Sequence, residues 1–318
     1  MNYGCTILSL CIPDRRGSFR DIVLGFDQLE GYLQSPHYVG CIIGRFANRI
    51  RQGQFVLNDN NYSLPINQPP HHLHGGINGF DKKIWPATPF TNESQTGIVF
   101  ELTSPDGDEG YPGTLKIEVR YVLENENTLS ISYEAVSDQD TIINLTQHSY
   151  FNLCGGDSDI LDHQLTIHSD YYLPVDEVMI PTGQQLEVRN TPFDFRIAKP
   201  VGSDIQHDDA QIQLAHGYDH TWILHKDSSI KPSAVLYDPK SGCKMEILTT
   251  QPGLQLYTAN FLNGLHLAKN HITLKPQMGL CLETQHFPDS PNHPEFPSTT
   301  LKAGEVYTAK TVWRFSTD

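Results

Sequence analysis

Basic residues are in short supply. Lysine and arginine number 22 against 37 aspartates and glutamates, a net charge of −15 over 318 residues. They form no basic run. Nucleic acids and anionic membrane surfaces are held by clustered cations, so neither is an expected partner, and a phosphorylated substrate is disfavoured too. No stretch approaches the roughly 20 apolar residues that span a bilayer. The opening stretch "MNYGCTILSLCIPDRRG" has no basic region ahead of an apolar core, unlike a secretion signal. The six cysteines, Cys5, Cys11, Cys41, Cys154, Cys243 and Cys281, include no C-x-x-C pair. They are expected to be reduced thiols in a cytoplasmic protein.

Helical periodicity is scarce as well, and what fills the chain is period two. "LKIEVRYVL" (115–123) alternates Leu115, Ile117, Val119 and Tyr121 with Lys116, Glu118 and Arg120. After "ENEN", "TLSISYEAV" (128–136) alternates Leu129, Ile131, Tyr133 and Ala135 with Ser130, Ser132 and Glu134, which completes a hairpin. "QFVLNDNNYSL" (54–64) is a second, with Asn and Asp for the turn. Further strands are expected at "HTWIL" (220–224), "SAVLYD" (233–238), "KMEILTT" (244–250), "LQLYTANF" (254–261), "GLCLETQHF" (279–287) and "VYTAKTVWRF" (306–315). No linker, low-complexity segment or internal repeat divides them. The fold class is all-β: one domain, 1–318, of many antiparallel strands, larger than an immunoglobulin-type sandwich of about 100 residues.

Two strand patterns hold residues suited to proton transfer. In "LTQHSYFNL" (145–153), Thr146, His148, Tyr150 and Asn152 share one side with Asn144. That side is either a solvated face or the wall of a site. In "GLCLETQHF", Glu283 sits inside an apolar run on the side of Cys281, Gln285 and Phe287. A carboxylate there is either turning into solvent at the strand's end or lining a cleft, where desolvation raises its pKa. The histidines of "HHLHGG" (His71, His72, His74), "HGYDH" (His216, His220) and "HFPDSPNH" (His286, His293) match no zinc spacing, so no metal is expected. In "HGG" the glycines suggest a bend that lets a ligand approach while His74 offers a hydrogen bond. "GRFANRI" (44–50) places Asn48 and Arg49 beside a turn, suited to clamping hydroxyls, although an isolated arginine such as Arg45 or Arg49 is more commonly a surface charge.

Taken in order, "GRFANRI", "LHGGINGFDKKIW", "SPDGDEGYPG", "NLTQHSYFNL", "YLPVDEVMIPTG", "GYDH", "TTQPGLQLYTANF" and "CLETQHFPDSPNHPEFPS" resemble the aldose 1-epimerase (galactose mutarotase) family over essentially the whole chain. The resemblance implies a large antiparallel β-supersandwich. It also implies interconversion of the α and β anomers of free aldoses such as D-glucose and D-galactose, without metal or cofactor. His148 matches the family's general acid, expected here as an imidazolium, and Glu283 its general base. Asn48, Arg49, His74, Tyr150, Asp219 and Gln255 match positions that hold sugar hydroxyls or support that pair. A small-molecule aldose is the implied partner, and a monomer is expected. Family members usually carry roughly 30 more residues of strand ahead of "NYGCTI", so an uncovered sheet edge is expected. Gln147, where Asn is common, and Tyr218, where Phe is common, are conservative departures. A hexose-6-phosphate epimerase and a non-catalytic sugar-binding relative are the alternatives; a glycoside hydrolase, needing two facing carboxylates, ranks low.

Overall fold

The computed structural model describes residues 1–224, 230–262, 268–269 and 272–318. Nine strands make the larger antiparallel sheet, in the order Lys199–Pro200, Gln164–Ile167, Lys231–Tyr237, Cys243–Thr249, Val306–Thr317, Thr128–Ser137, Leu115–Glu124, Gln95–Ser104 and Ala87–Thr91. A second sheet of five runs Leu186–Glu187, Tyr171–Leu173, Asp219–Ile223, Gly253–Tyr257 and Cys281–Gln285. All-β is therefore the observed class.

The alternation seen in the sequence decides which side each strand buries. Leu115, Ile117, Val119 and Tyr121 are buried and Lys116 and Arg120 exposed. The partner strand pairs from Glu124↔Thr128 to Leu115↔Ser137 and buries Ile131, Tyr133 and Ala135. Asn58 and Asp59 both take positive φ, as a two-residue hairpin demands. Trp85, Trp222, Trp313, Phe193 and Phe195 lie in one core cluster, and burying each large apolar side chain contributes about 2 kcal/mol or more.

One expected strand is different. Of "LTQHSYFNL", only Thr146–Gln147 joins a ladder, paired with Ile42–Ile43. Every residue from 145 to 153 is buried, so neither side is a solvated face. Its polar row is zipped to the neighbouring strand through side chains. Asn144 donates to the His286 carbonyl (3.2 Å) and accepts from the His286 amide (2.9 Å). Thr146 donates to the Thr284 carbonyl at 3.0 Å, and Asn152 to the Met278 carbonyl at 2.7 Å. These bonds satisfy backbone groups that a regular ladder would have paired. They fix His148 opposite the 281–285 strand.

Candidate active site

A cleft of about 270 Å³ opens where these two segments meet, lined by Asn48, Arg49, His74, His148, Tyr150, Asp219 and Glu283, together with Tyr38, Gln68 and Tyr257. Seven of the eight residues expected from the sequence therefore line one site. Gln255 does not. It stands behind Asp219, donating to Oδ1 at 2.6 Å, and its own carbonyl accepts the Thr221 hydroxyl. Strand register puts Gln255 in one cross-strand row between Thr221 and Glu283, and its side-chain amide is taken up by Asp219 and Thr221.

His148 Nε2 lies 3.7 Å from Glu283 Oε1. Glu283 is 2% exposed, in the middle of its strand rather than turning outward at the end, and Oε2 has no partner. Burial pushes its carboxyl well above the ordinary value; Asp219 adds to the rise and Arg49 opposes it. Burial drives His148 the other way, to about 4, against a smaller opposing effect of its own carbonyl. A low-dielectric site disfavours both charged forms, so burial works against the imidazolium expected for His148 as well as against the Glu283 carboxylate.

Arg49 bridges the cleft's polar wall. Its Nε donates to Gln68 Oε1 at 3.0 Å, and an outer nitrogen stands 3.6 Å from Asp219 Oδ2. Asn48 works mainly through its backbone. Its N–H donates to His74 Nδ1 (3.1 Å), its carbonyl accepts the His74 N–H (3.0 Å), and its side chain accepts the Arg49 N–H (2.8 Å). With Nδ1 accepting, His74 must carry its proton on Nε2. His74, His148 and Glu283 bring possible ligand atoms within 4.8 Å of one another. A protonated Nε2 suits a hydroxyl oxygen there and not a cation. Tyr150 presents its ring, because its hydroxyl donates to the His37 carbonyl at 2.9 Å.

The glycines after His74 serve the chain and not a ligand. A Cβ on Gly75, at φ +82°, would stand 1.8 Å from the Gly44 carbonyl oxygen. Arg45 is no surface charge either. At 1% exposed it donates to the carbonyls of Pro112 and Gly113 at 2.8 and 2.9 Å, and burial lowers it to about 10. Tyr257 was legible in the sequence, two residues past Gln255 on the same face; Tyr38, in a loop at φ 54°, left no periodic signal. A larger groove of about 940 Å³ meets the catalytic strand's end at His286 and Phe287. Glu118, Glu134 and Glu295 line it, Glu118 paired with Arg120 at 2.8 Å.

Two antiparallel sheets, with a polar cleft at the edge of the smaller one where the Glu283 carboxyl meets the imidazoles of His74 and His148, define a β-sandwich enzyme that moves protons on a small substrate. The aldose 1-epimerase family model matches residues 1–314. Mouse galactose mutarotase is 47% identical over 99% of this chain and 90% of the relative, and aldose 1-epimerase of Escherichia coli K12 is 39% identical over the same shares. Among solved structures, galactose 1-epimerase from Lactobacillus acidophilus superposes with a TM-score of 0.89 at 34% identity, covering 99% of this chain and 90% of that one. An aldose epimerase homologue from C. elegans gives 0.89 at 30% identity, covering 99% and 94%. The chain belongs to the aldose 1-epimerase family and is an isomerase that interconverts the α and β anomers of aldoses.

Proposed function

We propose that Glu283 and His148 carry the reaction, on free aldohexoses of the glucose and galactose type. The observation that supports this reading is the 3.7 Å approach of His148 Nε2 to Glu283 Oε1 inside a buried cleft. A hemiacetal has its hydroxyl and ring oxygens on one carbon, so both reach the pair together. With one proton held between the pair and placed on His148, Glu283 takes the proton of the anomeric hydroxyl as His148 Nε2 gives its own to the ring oxygen. The C1–O5 bond breaks, the aldehyde turns about C1–C2, and reverse transfers close the ring on the other face. Proton count is conserved, because the pair begins and ends with one proton.

Arg49, Asp219, His74 and Asn48 hold the hydroxyls that do not react, with Tyr150 and Gln255 supporting them; fixing those oxygens confines motion to the anomeric end. Among the described residues, Arg49 is the one cationic side chain lining the cleft, and Asp219 faces it. A phosphate would need more cations, which supports free sugars over 6-phosphates. Our reading is of a single-domain monomer acting in the cytoplasm.

Polarimetry on freshly dissolved α-D-glucose and α-D-galactose tests this. Glu283→Gln and His148→Asn should each reduce kcat by about 10²–10⁴-fold. Full activity in both would remove the assignment, and a higher rate on glucose 6-phosphate than on glucose would reverse the substrate preference.

A further inference from the structure

His148 touches the catalytic strand at two places. Nε2 faces Glu283 Oε1 at 3.7 Å and Nδ1 faces Cys281 Sγ at 3.5 Å. Residues 281 and 283 project from the same side of the strand, so the imidazole lies along it and bridges them. Half a turn of the ring would exchange its carboxylate neighbour for a thiol. Cys281 is 0% exposed. Burial first, then the charges of Glu283 and Asp219, push its thiol well above the ordinary value, so the sulfur keeps its hydrogen. A thiol can both give and take a hydrogen bond, so at 3.5 Å the sulfur can accept from His148 Nδ1. The other neighbour of the ring is His148's own carbonyl, which can only accept.

We propose that Cys281 is a positioning residue for epimerisation: its sulfur accepts a hydrogen bond from His148 Nδ1, keeps that nitrogen protonated, and leaves Nε2 as the atom that exchanges protons with the sugar. This rests on the reading of His148 as the proton-exchanging group. A neutral imidazole has one N–H. Were it on Nε2, that nitrogen could not take back the proton of the ring hydroxyl during closure, and the Nδ1 lone pair would face His148's own carbonyl. With Nδ1 protonated, Nε2 alternates between N–H and lone pair, as a reversible reaction requires. The sulfur thus orients the ring from behind, and being neutral it does so more weakly than a carboxylate would.

The test compares Cys281→Ala, Cys281→Val and Cys281→Ser by polarimetry and by ¹⁵N NMR of labelled histidine, with His148→Asn identifying the resonances. Ala and Val should lower kcat by about tenfold with KM within about twofold, and move the His148 nitrogens away from the Nδ1–H tautomer. Ser, which keeps an acceptor, should recover most of the rate and the tautomer. The proposal is overturned if Ala keeps the wild-type rate and tautomer. It also falls if Ser loses as much rate as Ala while Nδ1–H persists, since the thiol would then be packing alone. Val serves if the cavity left by Ala prevents folding. Full activity in His148→Asn would instead sink the underlying catalytic assignment, and the NMR tautomer in the Cys281 variants would still be readable.

Discussion

At His148 and Glu283 one desolvation acts in opposite directions on the two pKa values, because each group resists its own charged form. Activity needs the single shared proton, so the two titrations belong to the pair. The acid limb of kcat/KM should fall as His148 takes a second proton, as pH drops through about 4. The alkaline limb should follow loss of the shared proton and be displaced upward with Glu283. Between them the profile is flat across the ordinary histidine range, and a limb centred near 6.5, measured by polarimetry over pH, would contradict burial as the governing cause. Chemistry-bearing residue types were legible in the sequence at this scale. Their protonation was not, since it depends on what closes over them. Tyr150 shows the same limit: its ring lines the cleft and its hydroxyl belongs to His37.

The element that matters most is the irregular segment from 141 to 154, whose polar row is a set of clamps. Sequence periodicity put Asn144, Thr146, His148, Tyr150 and Asn152 on one side, and a half-exposed strand was one natural reading of it. The structure buries both sides, and Asn144, Thr146 and Asn152 spend their polar atoms on backbone groups. Asn144→Ala would leave the Ala47 and His286 carbonyls and the His286 amide without this partner. It should cost about 2–3 kcal/mol and reduce kcat, because the clamp holds the segments bearing His148 and Glu283 together. Urea unfolding paired with polarimetry would check it; unchanged stability and rate would show the clamp dispensable. Gly75 is the other element-scale constraint, legible as a turn but not as the close approach to Gly44 that requires it.

Across the whole molecule, buried neutral histidines set the response to acid. Burial holds His148, His163 and His286 down to about 4 and His220 to about 3, from 6.5. The unfolded chain binds these protons as pH falls below 6.5, and the folded chain refuses them. Their stabilisation is therefore complete above 6.5 and lost as pH falls toward 4, on the order of 3 kcal/mol for each group. Asp81, raised to about 6 by burial, acts in the opposite sense: its contribution is present below 3.8 and lost as pH rises through 6. Glu283 acts as Asp81 does. The histidines outnumber them, so Tm should fall steeply between pH 6.5 and 4, beginning above the range where ordinary carboxylates titrate. A Tm constant over that interval would refute the balance.

Sequence alone determined the period-two strands, hence an all-β fold, because alternation fixes which side of each strand can leave water. With the ordered motifs it also reached the family and eight candidate residues, seven of which line the cleft, since residue type limits who can move a proton or bind a hydroxyl. Only the tertiary structure decided the rest. It placed Gln255 behind Asp219 and put Cys281 at His148 Nδ1. It fixed His74's proton through Asn48, and it buried Arg45 and the 141–154 segment. Each of these depends on contacts between residues far apart in the chain, and on desolvation, which no local pattern of residues contains.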